Sequence, residues 1–84
     1  MNTKVLRFTA SWCEPCKALA KTIEDADIEL PIEVIDIDKE ASRAMKFQIR
    51  SVPTIVIVDE NGEELRRQIG MMTLSQFEHF VKNV

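Results

Sequence analysis

Cys13 and Cys16 are the only cysteines of the chain and stand in the order Cys13-Glu14-Pro15-Cys16. On a helix, residues three apart lie on one face about a turn apart, close enough for a disulfide. A helix that starts at Cys13 sets that sulfur among unpaired backbone N–H groups at the positive end of the helix dipole. Both stabilise a thiolate, the reactive form of cysteine. Pro15 falls in the first turn, where it forfeits no helical hydrogen bond. Cys16 begins the apolar stripe Cys16, Leu19, Ala20, Ile23, so it is expected to be the more buried sulfur. One exposed, activated sulfur beside a shielded one describes a dithiol that opens and closes a disulfide.

The blander readings of the pair are a structural disulfide, a chance spacing and half a zinc site. Zinc needs four ligands, and with only His79 elsewhere a closed site would have to borrow carboxylates or a second chain, so no metal is expected. A strand running into the pair and a helix running out of it favour redox exchange. His79 falls on the outward side of the last helical pattern and reads as a surface histidine.

The elements that must position the pair follow from periodicity. Lys4 to Thr9 reads as a strand, with Leu6, Phe8 and Ala10 on one face and Val5, Arg7 and Thr9 on the other. The helix from Cys13 is expected to end near Asp25 to Asp27. Pro31 opens a second strand, Ile32 to Ile37, rich in β-branched residues. Strand, helix, strand over so few residues reads as a right-handed βαβ unit with parallel strands. A second helix is expected over Lys39 to Phe47, with Ala41, Ala44 and Met45 facing inward. Thr54 to Val58 is the most strand-like run, and Asn61-Gly62 signals a hairpin that returns antiparallel over Glu63 to Ile69. Gly70 breaks that strand. Thr73 and Gln76 form a capping box before a final helix whose Phe77, Phe80, Val81 and Val84 face the sheet. The order is βαβαββα: an α/β chain with a four-stranded mixed sheet and helices on both faces.

Eighty-four residues suit a single domain over positions 1–84, and the 45% hydrophobic content is enough for a compact core. A formal charge of −3 with interspersed signs gives no basic footprint for nucleic acid and no polybasic membrane patch. No apolar run reaches transmembrane length and no secretory signal precedes Ala10, so a cytoplasmic protein is expected. There a cycling disulfide is more natural than a permanent one.

Two segments together resemble the thioredoxin family. The first is Ala10-Ser11-Trp12-Cys13-Glu14-Pro15-Cys16-Lys17, with Glu14 where the family usually has glycine. The second is Ala44-x-Lys46-Phe47-x-Ile49-Arg50-x-Val52-Pro53-Thr54, similar to the family's run into its cis-proline. Asn61-Gly62 and Gly70 follow at compatible distances. The resemblance runs from Lys4 onward and implies a minimal thioredoxin fold, with a cis Val52-Pro53 bond packed against the cysteines. It further implies a protein-disulfide reductase with Cys13 attacking and Cys16 resolving, and no cofactor beyond that disulfide. The expected partners are protein disulfides and an electron donor such as an NADPH-dependent thioredoxin reductase, or glutathione, with the chain a monomer. Trp12, Val52, Pro53, Gly70 and Met71 are the candidate substrate-binding residues, with Ile69 and Met72 completing an apolar rim around Cys13. A glutaredoxin-like enzyme is an alternative, although Gly70-Met71-Met72-Thr73 stands where glutaredoxins carry a glycine pair and an acidic pair. A docking subunit is the reading from another class.

Glu14, Pro15 and Arg7 are the candidate tuning residues. Glu14 repels the Cys13 thiolate weakly and makes the couple slightly more reducing. Arg7 replaces the family's buried acid, and Val34 replaces the lysine that faces it. The usual N-terminal strand and helix are also missing, so this face of the sheet is expected to be less covered. The Arg7 stem should pack on the sheet with its head in water or on a surface carboxylate. Arg7→Met is therefore expected to cost about 1 kcal/mol or less and to change the exchange rate at pH 7 less than about threefold, a barrier difference under ~0.7 kcal/mol. A tenfold loss would instead mark it as stabilising the Cys16 thiolate.

Overall fold

The computed structural model describes residues 2–82. Its elements run β1 (Lys4–Thr9), α1 (Glu14–Glu24), β2 (Ile32–Asp36), α2 (Ala41–Lys46), β3 (Thr54–Val58), β4 (Glu64–Ile69) and α3 (Leu74–Lys82). The expected βαβαββα order is therefore the observed one. The sheet order is β2-β1-β3-β4, with β1 parallel to β2 and antiparallel to β3, and β3 antiparallel to β4.

Every residue of β3 is buried, because this interior strand is covered on both faces. One face packs Val5, Ile55 and Ile57 against Leu19 of α1 and Phe77, Phe80 and Val81 of α3. The other packs Leu6, Phe8, Ile35, Val56 and Val58 against Phe47 and Ile49, at and beyond the end of α2. The alternation expected along β1 thus feeds two cores. Val84, expected on the α3 stripe, lies outside the described residues.

The hairpin and the last cap form as their side chains dictate. Asp59 Oδ1 accepts the amides of Asn61 (2.8 Å) and Glu63 (3.0 Å), and Gly62 takes φ +81°, a conformation glycine adopts freely. The pairing then slips by a bulge between Ile57 and Val58. At α3, the Thr73 amide donates to Gln76 Oε1 (2.8 Å) and the Gln76 amide donates to Thr73 Oγ1 (3.1 Å), the reciprocal capping box.

The second helix departs from expectation. It is six residues long and none of them is buried. Ala41 is exposed, Ala44 half-buried and Met45 is 77% exposed, so the expected inward stripe is misphased. Lys39 and Glu40 are spent on a turn, in which both amides donate to the Asp36 carbonyl (3.1 and 2.9 Å). At its far end Gln48 adopts φ +54° while its amide donates to Met45 O (3.0 Å), and Ile49 donates to Ala44 O (2.9 Å). This double closure drives Ile49 into the core, and a glycine would signal it more plainly.

Candidate active site

β1 delivers the chain to Ala10, and the Cys13 amide donates to the Ala10 carbonyl (3.1 Å), closing a turn before α1. Cys13 is the N-cap residue, with Glu14 and the first-turn Pro15 following it. Its Sγ accepts the Cys16 amide at 3.1 Å, so one unpaired donor of the helix start points at the sulfur. The two cysteines are joined as a disulfide with their Cα atoms 5.2 Å apart.

The relative burial of the two sulfurs follows the stripe, but the contrast is smaller than expected. Cys16 is 1% exposed and Cys13 only 4%, so Cys13 is not an open sulfur in this oxidised state. Ala10, Val52 and Ile37 pack around the pair and account for the cover. Exposure at the site belongs instead to Trp12, at 65%.

The second motif arrives from the other side. The Val52-Pro53 peptide is cis, and the Val52 carbonyl oxygen lies 3.7 Å from Cys13 Sγ. Gly70, at φ +93°, donates its amide to the Pro53 carbonyl (2.9 Å), and Thr54 pairs with Ile69 in register. Val52, Pro53, Gly70 and Ile69 therefore form one ledge, which meets the cysteines at Val52. Ile69 and Met71 are exposed. Met72 does not belong to the expected rim. It turns inward and is buried with Phe77 and Leu19, because the chain must fold down into α3 immediately after Gly70.

A carboxylate from the turn after β2 joins the site. Asp38 Oδ2 accepts the Trp12 indole N–H at 2.9 Å and so holds an otherwise exposed ring. The partners are 26 residues apart, and no local pattern announces the contact. Glu14 is exposed and its carboxylate is paired with Lys17 (3.2 Å), which weakens its repulsion of Cys13. His79 lies on the exposed side of α3.

Arg7 is half-buried on the α1 face, paired in register with Val34, which is 52% exposed. The sheet is thus open beside it, as expected. Partial burial alone lowers the guanidinium's pKa from its ordinary value. Among the described residues no group of His, Cys, Asp and Glu side chains could hold a metal ion.

The comparisons with known proteins agree with this geometry. A family model described as Thioredoxin matches residues 1–83. The thioredoxin of Staphylococcus haemolyticus is 35% identical over 73 residues, covering 82% of this chain and 69% of the relative. That of Buchnera aphidicola is 35% identical over 78 residues, covering 88% and 71%. Among solved structures, a mutant thioredoxin from Halobacterium salinarum superposes with a TM-score of 0.88 at 24% identity, covering 98% of this chain and 74% of its own. Thioredoxin-2 of a malaria parasite superposes at 0.87 with 25% identity, covering 99% and 84%. By sequence over nearly its whole length, and with the cysteine pair placed at the start of α1, the chain belongs to the thioredoxin family.

Proposed function

We propose that this thiol–disulfide oxidoreductase reduces disulfides in other proteins, with Cys13 as the attacking sulfur and Cys16 as the resolving one. The observation that carries the assignment is the Cys16 amide aimed at Cys13 Sγ at the start of α1, which stabilises negative charge on that sulfur and not on Cys16. The Cys13 thiolate attacks one sulfur of a target disulfide; a mixed disulfide forms and one target sulfur leaves as a thiolate. Cys16, as a thiolate, then attacks Cys13 Sγ, closing the Cys13–Cys16 bond and releasing the second target sulfur. Two electrons have passed from the dithiol to the target.

The exposed Trp12, Ile69 and Met71 and the ledge of Val52, Pro53 and Gly70 are the docking surface for the target. An extended segment laid on this ledge would pair with the Val52 backbone, in the manner of strand addition. Glu14, already paired with Lys17, shifts the couple by no more than ~10–20 mV. A potential nearer thioredoxin's roughly −270 mV than a periplasmic oxidant's −120 mV is expected, and a glutathione titration above about −200 mV would contradict it. Such a protein belongs in a reducing compartment, which we take to be the cytoplasm. No helix among the described residues is long and apolar enough to cross a membrane.

The test is the pair Cys13→Ser and Cys16→Ser with a protein disulfide as substrate. Cys16→Ser should accumulate the mixed disulfide, and Cys13→Ser should form none. In the reduced wild type, limiting iodoacetamide should label Cys13 first; preferential labelling of Cys16 overturns the roles. Regeneration by NADPH with a flavin-dependent thioredoxin reductase, compared with glutathione plus glutathione reductase, identifies the donor. A docking role would survive loss of both sulfurs.

A further inference from the structure

Beneath the disulfide, on the α1 face, lies an open cleft of about 220 Å³ lined by Arg7, Thr9, Ser11, Cys16, Lys17 and Asp36. It brings the buried resolving cysteine and the half-buried guanidinium to one solvent-reached space. Among the described residues Arg7 has no ion-pair or hydrogen-bond partner, and no buried side-chain polar atom is left unsatisfied, so its head is hydrated through this cleft. The other charges on the cleft are engaged elsewhere. Lys17 of α1 pairs with Glu14 (3.2 Å). The Asp36 carboxylate, at the end of β2, accepts the amides of Asp38 (2.8 Å) and Lys39 (3.3 Å). No charged group of β3 or α3 lines the cleft.

Against the bystander role expected from the sequence, we propose that Arg7 is the charge that allows Cys16 to ionise during the resolving step of the reaction proposed above. Cys16 has a need that Cys13 does not. Its sulfur is 1% exposed, and its own backbone amide is turned toward Cys13, so burial opposes its thiolate with no helix-start donor to offset it. A guanidinium without a counter-carboxylate supplies the missing stabilisation, and it is weakly screened because it is itself partly desolvated. The proton balance needs no internal base. The Cys16 thiol gives its proton to water in the cleft, the thiolate attacks Cys13 Sγ, and the departing target thiolate is reprotonated by solvent. Arg7 stays protonated throughout and acts only through its field.

The reduced protein is mixed with an excess of an aromatic disulfide whose thiolate is coloured, in a stopped-flow instrument across pH 5 to 9. The first release of colour reports attack by Cys13, and the second reports resolution by Cys16. Arg7→Met should leave the first release within about twofold, slow the second about tenfold at pH 7 and raise the midpoint of its pH profile by about one unit. Arg7→Lys should restore the second release to within about threefold of wild type, which a merely structural role for the guanidinium fork would not predict. If Arg7→Met does not fold, Arg7→Gln against Arg7→Lys makes the same comparison. A second release that is charge-independent, within threefold and with an unmoved pH midpoint, overturns the proposal. A wild type that gives the first release but never the second sinks the exchange reading itself, and this proposal with it.

Discussion

α1 and α2 each follow a strand of the same parallel pair and cover opposite faces of one sheet, yet they are held in different ways. α1 is 11 residues long, starts on a side-chain cap and buries Cys16 and Leu19, with Ile23 packed against the same core. α2 is six residues long, has no side-chain cap hydrogen bond and buries nothing of its own. It is fastened at its margins. Arg43 pairs with Glu33 of β2 and with Glu40, and Phe47, just past its end, packs on Phe8 with ring centroids 5.6 Å apart. The contrast explains where the chemistry sits. A thiolate stabilised by backbone amides needs a helix start that does not move, and of these two helices α1 is the one anchored along its length.

The largest expected effect tests that anchoring. Leu19→Ala removes a fully buried side chain from the core beneath α1 and should destabilise the fold by about 2–5 kcal/mol in a denaturant titration. The change should also loosen the cradle of Cys13 and lower its rate of alkylation in the reduced, still folded protein. A loss of stability under about 1 kcal/mol would mean that α1 is held mainly by its cap and not by its buried face.

The same contrast shows what could be read in advance. The Asp59 turn before β4, α1 with its cysteine cap and α3 with its Thr73–Gln76 box all carry local signals, because side chains there bond to backbone within four residues. The face assignment of Arg7 followed from simple alternation along β1. α2 defeated the reading because six residues are fewer than two turns, too short for a periodicity to fix its phase. Met72 defeated it because one residue separates the outward Met71 from the inward chain, and only the path into α3 decides between them. The Trp12–Asp38 contact and the cleft joining Arg7 to Cys16 are products of tertiary placement, with no trace in local spacing.

A smaller effect should appear at the margin that fastens α2. The hydrogen bond from Arg43, and then that from Lys4, holds the Glu33 carboxyl down at about 2, well below its ordinary value. A depressed carboxylate stabilises the fold fully above its unfolded pKa of about 4.3, and that contribution fades as the pH falls toward the folded value. Glu33 is more than a third exposed, so solvent screening keeps the contribution to about 1 kcal/mol or less. Arg43→Met should therefore cost about 0.5–1 kcal/mol at pH 7, and the gap to wild type should narrow between pH 5 and 2. A gap that widens on acidification would place the stabilising charge elsewhere.

The smallest effect is a null result that separates the two helices most directly. Read by pattern, Met45 belongs to an inward stripe with Ala41 and Ala44, as Leu19 belongs to the stripe of α1. The structure leaves it 77% exposed, on the outer side of a helix whose hold on the sheet lies at Arg43 and Phe47. Met45→Gln keeps the length and the helix propensity of the side chain and adds an amide that water can satisfy. The expected change is within about ±0.5 kcal/mol, with exchange rates unaltered. If Met45 instead packed against the sheet, burying that amide without partners would cost about 1–3 kcal/mol, well outside the error of paired denaturation curves. A loss of that size would restore the inward stripe, and with it a second helix anchored along its length as α1 is.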